Sequence, residues 1–523
     1  MRTSSTWAAG VACLLGAGAA SAAPNTPIPL SSEITNVDVT RDTSRRFGAP
    51  HVAVNPKNPN NVVVIASSNI GYTKACLPAK PGSDCEEISV DMGGRAMKQP
   101  RGFAKTPGFM DIGVFVSFDR GKTFKQIDIS NLVPPDDPKV RARGEGPIAA
   151  MPDGSFYIGF NAVNWGNWEA TPPTFFPDGG VGVIKSTDGG LSWKWVSYSH
   201  TPADWPYGGA DPITGTFYVT SGIAGLTPLG PRSTGNPNAP VGPIADRWVA
   251  STRDGHQWTE PEPLGGTDST RHVGAGHSSV AAAYGIVATL FVAADANACA
   301  FFGGHANTAP CVVFQTSQDA GKTWHRSLVP TPADFKAAAF SLFVGADPSR
   351  KHHFVAMLMN ASGADFLVYR TPDEGKTWSE PVRVTEDAGK THFAPYVAFS
   401  PKGDFGLMWR TYEPDSSHPQ PAPASRASDP MSTMGRGQPY PYSVWAAVSR
   451  DGGATFSRPL KVSKANSPAA PDDPNDAFRI VGDHGPSGMA IDGYGGVHVV
   501  WADWTPGERA IFLSSIDIGA FKR

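Results

Sequence analysis

Arginines recur beside histidines, acids and tyrosines in this sequence: Arg46 and His51, Arg143 and Glu145, Tyr207 and Asp211, Arg271 with His272 and His277, then His392. Further along stand Arg410 and Tyr412, Arg479 with Asp483 and His484, and Asp503 with Trp504. Each group lies just before or just after a short strand-like run. Converging guanidiniums suit a carboxylate or a sulfate, because the planar fork binds such anions through parallel hydrogen bonds. The neighbouring His, Tyr, Asp and Glu side chains suit proton transfer or nucleophilic attack. The chain as a whole is not basic, with 44 Lys and Arg against 47 Asp and Glu and a net charge of −3. Anion binding must therefore come from local placement, and neither nucleic acid nor an anionic membrane is an expected partner.

What must position these residues is announced by a repeated turn. "SFDRGKTF" at 117–124 is followed by "STDGGLSW" (186–193), "SQDAGKTW" (317–324), "TPDEGKTW" (371–378) and "SRDGGATF" (449–456). Alternating apolar residues lead into each copy and a second short alternation leaves it, so each reads as a hairpin turn. Asp119, Asp188, Asp319, Asp373 and Asp451 can accept backbone N–H bonds of the turn. Gly121, Gly190, Gly321, Gly375 and Gly453 can take positive φ. The closing Phe124, Trp193, Trp324, Trp378 or Phe456 can fold back over the hairpin. A sixth copy, "STRDGHQW" at 251–258, keeps Ser251, Gly255 and Trp258 but places Arg253 at the acidic position. Positions 119, 188, 253, 319, 373 and 451 are separated by 69, 65, 66, 54 and 78 residues, a spacing that suits a four-stranded blade with a variable loop.

This pattern resembles the Asp-box, or BNR repeat, of sialidases and related propeller proteins, and the resemblance extends over nearly the whole chain after residue 22. It implies an all-β fold, a β-propeller of four-stranded blades. Two strand-like runs precede each hairpin, among them "HVAVNP" with "NVVVIASS" and "YVAFSP" with "DFGLMWRTY". A last pair, "GMAIDG" with "GVHVVWAD", leads to "AIFLSSIDIGAF", where Ser515, Asp517 and Gly519 read as the remnant of a seventh turn. Seven blades are counted, six being the alternative, and "ITNVDVT" (34–40) is expected to supply the outer strand of the last blade and close the ring. The repeated turns mark one face. Long irregular stretches at 70–110, 163–178, 224–245, 295–309 and 413–441 fall between second and third strands and so crowd the other face, where they wall a pocket.

The family resemblance also implies roles. A sialidase-like mechanism uses an arginine cluster for the substrate carboxylate, a tyrosine nucleophile activated by a glutamate, and an acidic general acid/base. By position, Arg46, Arg143, Arg271, His272, Arg410 and Arg479 are the substrate-binding candidates. Tyr412 or Tyr442 is the nucleophile, Glu145 its activator, and Asp111 or Asp483 the proton donor, with His484 beside them. The family opens its first blade with Phe/Tyr-Arg-Ile-Pro, whereas "FGAP" at 47–50 places Gly48 where that arginine stands. Arg46 does not replace it, since neighbouring side chains in a strand point oppositely.

Three functions follow. The first is a secreted exo-glycosidase, sialidase-like, acting on an anionic sugar terminus. The second is a polysaccharide lyase on a uronic-acid polymer, for which His272, His277, His392 and His484 are candidate bases. The third is a propeller that binds glycan or protein without catalysis. The expected partner is a carbohydrate or glycoconjugate, with no nucleic acid, and a monomer is expected.

Arg2, the apolar stretch from Trp7 to Ala20 and the Ala20-Ser21-Ala22 step read as a signal peptide over 1–22, leaving one propeller domain over 23–523 in a secreted or periplasmic protein. No later segment approaches the roughly 18 apolar residues of a membrane span. Outside that leader, Cys76 with Cys85 and Cys299 with Cys311 form two sequence-local pairs, read as two disulfides that each pin one loop, although four cysteines allow three connectivities. No cofactor and no metal site is expected, apart from a structural calcium as an alternative to plain solvation of "PDDPND" (471–476).

Overall fold

The computed structural model describes residues 26–41, 46–69, 87–91, 96–100, 110–129, 132, 142–143, 146–167, 174–198, 206–220, 248–260, 262–264, 279–293, 296–301, 311–333, 335, 337–360, 363, 365–385, 389–417, 440–469, 488–507 and 509–523. These residues form seven antiparallel blades arranged as a β-propeller. From inside to outside, the first blade is built from Arg46–Asn55, Asn58–Asn69, Met110–Ser117 and Lys125–Ile127. The second uses Ile148–Ala150, Phe156–Asn167, Thr174–Ser186 and Lys194–Tyr198. The third uses Tyr207–Ala210, Phe217–Thr220, Trp248–Thr252 and Glu262–Pro263. The fourth uses Ser279–Ala283, Ile286–Val292, Val312–Ser317 and His325–Leu328. The fifth uses Ala337–Ala346, Phe354–Asn360, Phe366–Thr371 and Val382–Arg383, and the sixth uses His392–Phe399, Phe405–Tyr412, Tyr442–Ser449 and Leu460–Lys461.

The seventh blade closes the ring as the sequence predicts. Its inner strands are Gly488–Ile491, Gly496–Asp503 and Ala510–Asp517, and its outermost is Val37–Asp38, with Val37 opposite Leu513 and Asp38 opposite Phe512. The innermost strands touch in cyclic order, the seventh meeting the first.

Both faces of every blade pack against a neighbour, which is why central strands such as Ile286–Val292 and Phe405–Tyr412 are buried at every position rather than at alternate ones. A hydrophobic cluster occupies each junction. Phe115 meets Val500 and Leu513 between the first and seventh blades, and Met408 meets Val499 and Trp501 between the sixth and seventh. Each fully buried large apolar side chain contributes roughly 1.5–3 kcal/mol, so stability is spread around the whole ring.

The repeated turns are hydrogen-bonded alike. In the first, the Ser117 hydroxyl donates to Asp119 Oδ1 at 2.7 Å and accepts Gly121 N–H at 2.9 Å. Asp119 also accepts the Thr123 N–H at 2.9 Å and the Thr123 hydroxyl at 2.6 Å. The same four bonds recur at Asp188, Asp319, Asp373 and Asp451. The five expected glycines have φ between 87° and 98°. The residue before each is left-handed too, including Arg120, Ala320 and Glu374. The closing aromatics pack toward the preceding blade: Trp378 meets Phe314 edge-on at 5.1 Å.

Three details differ from the sequence reading. The sixth turn is built one residue later than expected: Thr252 donates to Asp254 and accepts Gly255 N–H, so the acid is Asp254 and Arg253 merely precedes it. The turn is one residue shorter before its aromatic, which is why the frame set by Ser251 puts an arginine at the acidic position. At the end of the chain, Ser515 pairs with His498 at 2.9 Å instead of Asp517, and Asp517 caps a short 3-10 turn at Ile518–Ala520. The described residues of the stretch 163–178 are strand, because Phe156–Asn167 and Thr174–Ser186 continue their ladder beyond the blade. There a hairpin from the first blade's insertion, Glu87–Asp91 with Ala96–Pro100, joins the second blade's sheet through Asp91 and Thr174.

Candidate functional site

The two strand-to-strand connections inside the hairpins, first-to-second and third-to-fourth, lie on one face of the ring, hereafter the turn face. The second-to-third loops and the links between blades lie on the other, the loop face. On the loop face the candidate residues fall into two groups.

At the boundary of the sixth and seventh blades, Arg410 is fully buried with its guanidinium over the rings of Tyr442, 5.1 Å away, and Phe393, 5.8 Å away. Tyr412 stacks on Phe393 at 4.2 Å and meets Tyr440 edge-on at 5.5 Å. The Tyr442 hydroxyl donates to the Ala502 carbonyl of the seventh blade, which commits it to a structural bond. Alternation along the strand sets these directions: Arg410 and Tyr412 face the seventh blade, whereas His392 packs by Phe366 and Trp409 in the junction with the fifth, its Nδ1 2.9 Å from the Thr411 hydroxyl.

In the first and second blades the backbone places three further candidates together. Arg46 pairs with Asn69, Asp111 with Ser68, and Arg143 with Ala162, all at the loop-face ends of their strands. Cys299, on the helix Ala296–Phe301, forms a disulfide with Cys311 that pins the fourth blade's loop. Glu145, Arg271, His272, His277, Arg479, Asp483, His484, Cys76, Cys85 and the loop 471–476 lie outside the described residues.

One rim assignment is corrected, and one rim residue is engaged locally. Asp211 follows the innermost strand of the third blade and so sits on the turn face, fully buried, where it accepts the N–H groups of Ile213, Thr214 and Gly285. Asp503 is occupied by its own turn, accepting Trp501 Nε1 at 2.8 Å and Thr505 N–H at 2.7 Å.

The axis holds what the sequence reading missed. The inner strands of the first and sixth blades share a bulge at an Ala-Pro step: Ala49 has φ 46° before Pro50-His51, and Ala394 has φ 48° before Pro395-Tyr396. The matching strings "GAPH" and "FAPY" were the available signal. The two bulges bring His51 and Tyr396 edge to face at 5.8 Å, and Phe343 and Tyr207 continue the contact at 5.3 and 6.1 Å. Gly488 permits this approach, since a Cβ there would lie 2.9 Å from His51 Cα. Burial lowers the His51 pKa to about 4 and raises that of Tyr396 to about 12, so both stay neutral near neutral pH. Tyr207, Phe343 and Tyr396, with Phe399 and Ser279, also line an axial cavity of about 200 Å³ whose other walls are Gly, Ala, Val and Pro. Among the described residues, no group of three or more His, Cys, Asp or Glu could hold a metal ion.

No protein-family model and no curated protein matches this chain. Among solved structures the chain is similar to a protein of unknown function from Dyadobacter fermentans DSM 18053, with 13% identity, a TM-score of 0.42, and 92% of this chain and 98% of that one covered. It is similar to a Hadza microbial sialidase, with 14% identity, a TM-score of 0.39, and 95% and 99% covered. It is also similar to an ulvan lyase of a polysaccharide lyase family, with 11% identity, a TM-score of 0.37, and 72% and 83% covered. Its structural neighbours thus include sialidases and a polysaccharide lyase.

Proposed function

We propose that this propeller is an exported, sialidase-like exo-glycosidase that acts on an anionic sugar terminus at its loop face. The observation that carries the reading is the Arg410 cluster: a guanidinium held between Phe393 and Tyr442, with the Tyr412 phenol on the same side of the strand. A cation fixed by packing loses little entropy when it meets a carboxylate, and water excluded by the rings strengthens the pairing. Tyr412 acts as nucleophile, Glu145 as its activator and Asp111 or Asp483 as general acid, with Arg46, Arg143, Arg271, His272 and Arg479 completing the anion clamp and His484 beside it. The Cys299–Cys311 disulfide supports an oxidising compartment.

The test is turnover of fluorogenic glycosides, led by the sialoside and followed by uronides and neutral sugars. Tyr412→Phe keeps the stacked ring and removes only the hydroxyl, so it is expected to lower kcat at least a thousandfold with Tm unchanged. Retained turnover in that variant removes the assignment.

A second reading, a lyase on a uronic-acid polymer, draws on the His51–Tyr396 pair, because a neutral imidazole beside a phenol is a proton-abstracting arrangement. Digestion that yields an unsaturated sugar absorbing in the ultraviolet, lost in His51→Gln, decides for it. Silence in both assays assigns the loop face to binding alone.

A further inference from the structure

The turn face carries its own cationic clefts, away from the loop-face residues. Between the fifth and sixth blades a cavity of about 280 Å³ is lined by Arg350, His353, Arg370, Thr377, Trp378 and Ser379. Between the sixth and seventh, a second of about 270 Å³ is lined by Arg450, Thr455, Phe456, Ser457, Lys522 and Arg523. The two are equivalent by the repeat: Thr377-Trp378-Ser379 and Thr455-Phe456-Ser457 each end a repeated turn. Each therefore presents the same arrangement of hydroxyl, aromatic ring and hydroxyl, with guanidiniums added at different positions.

The charge in these clefts is incompletely answered. Arg350 pairs with Asp347 at 2.8 Å, and Arg523 lies 3.8 Å from Asp451. Arg450 donates to the Ile518 carbonyl. Arg370 is in no ion pair among the described residues, and its buried Nε meets no acceptor there. Its aliphatic stem passes beside Gly453, where a Cβ would lie 3.5 Å from it, and Arg370 lines the cleft. The acids nearby are committed elsewhere: Asp347, which also lines the first cleft, accepts from Ser349 and Arg350, Asp373 and Asp451 accept the hydrogen bonds of their own turns, and Glu374 accepts from Thr316, Gln318 and His352. A buried guanidinium N–H without an acceptor, on a side chain otherwise partly exposed, carries an energetic cost that a bound oxyanion removes.

We infer that these two clefts form a second binding surface that takes successive acidic units, carboxylate or sulfate, of an anionic polysaccharide. Each cavity is smaller than the roughly 300 Å³ at which pockets for drug-sized ligands begin, which suits one sugar unit apiece. An aromatic ring beside a guanidinium meets a sugar's apolar face and its anionic group together. Nucleic acid is the less favoured polyanion, since each cleft holds its aromatic ring in a bounded cavity rather than along an open basic stripe that a phosphate backbone could follow. The surface stands on its own geometry and does not depend on catalysis at the loop face.

The test is calorimetric titration of the full chain with a polyuronate, dextran sulfate, uncharged dextran, inorganic sulfate and a single-stranded oligonucleotide. Binding to one or both charged glycans, weakened at least tenfold in the pair Arg370→Gln with Arg450→Gln, is expected, with Tm and any turnover of small glycosides unchanged. The stronger of the two polymers identifies carboxylate or sulfate as the recognised group. If that variant melts early, Lys522→Gln with Arg523→Gln, at exposed positions, is expected to weaken the same binding at least threefold. Undiminished binding in a folded variant overturns the proposal, as does an adventitious ion only, meaning inorganic sulfate bound as well as polymer, or tighter binding of the oligonucleotide.

Discussion

The turn face and the loop face are opposite ends of the same strands, yet the sequence treats them differently. On the turn face a short motif recurs, and five copies are satisfied by the same local hydrogen bonds, with Asp and Ser or Thr bonding within seven residues. On the loop face no two insertions match, and the residues of interest are held by packing between blades, as Arg410 is by Phe393 and Tyr442. Local hydrogen bonding makes the first face robust to its surroundings; interblade packing makes the second sensitive to them.

The largest effect is expected where the turn face departs from purely local bonding. Arg120, the residue before the glycine of the first turn, reaches Asp492 in the seventh blade at 2.7 Å, both side chains being almost fully buried. Against the desolvation that would raise it, hydrogen bonds from His498, Gly496 and Arg120 hold the Asp492 pKa down to about 2. Arg120→Ala leaves a buried carboxylate half-answered and should cost about 3–5 kcal/mol in chemical denaturation. A loss below about 1 kcal/mol would show that the ring seam does not depend on this pair.

The next effect separates the faces by pH. His51 has its pKa lowered by burial from 6.5 to about 4, so between those values the unfolded chain binds the extra proton and the folded chain does not. Its contribution is complete above about pH 6.5 and is lost as pH falls toward 4, by roughly 3 kcal/mol in all. His51→Gln should flatten that limb of the stability profile; an unchanged limb would assign it to other groups. The turn carboxylates titrate lower. Asp319, bonded by the Thr323 hydroxyl and N–H and then by Ser317, is held down to about 2. Its contribution is present above the ordinary carboxylate pKa and fades only as pH falls through about 2.

Smaller again is the loss of one turn. Asp119→Ala removes four hydrogen bonds at a partly exposed site and should destabilise by about 1–2 kcal/mol, with loop-face turnover unaltered. A change in turnover would mean that the faces communicate. The smallest effect has the opposite sign. Ala320 sits at φ 61°, so Ala320→Gly should stabilise by about 0.5–1 kcal/mol, read as a rise in Tm.

The same contrast explains what the sequence discloses. The turns, the seven-fold count and the closing strand are legible because each is a local pattern: Ser or Thr, Asp and Gly at fixed offsets, or alternation over a few residues. The turn at Thr252 was misframed because a one-residue shortening preserves the composition while moving every role. Asp211 was placed on the wrong face because its strand, Tyr207–Ala210, is only four residues long, and a rim position at one end looks like a turn position at the other. Tyr396 was passed over because its meeting with His51 depends on two bulges in blades far apart in sequence. The pairing of Glu87–Asp91 with the second blade was invisible for the same reason.

The strand Val37–Asp38 gives the molecule a timetable. It is synthesised before the first blade, yet its partner Ala510–Asp517 follows the other six blades in the chain. Six blades can stack while the chain grows, but the seventh has no outer strand until the beginning of the chain returns to it. Contacts of such long sequence separation form slowly. Until they do, Ala510–Asp517 presents an unpaired edge, which in a crowded solution can capture residues 34–40 of another copy as readily as its own. Exchanged rings, joined through the first strand of each, are therefore the expected by-product of refolding at high protein concentration.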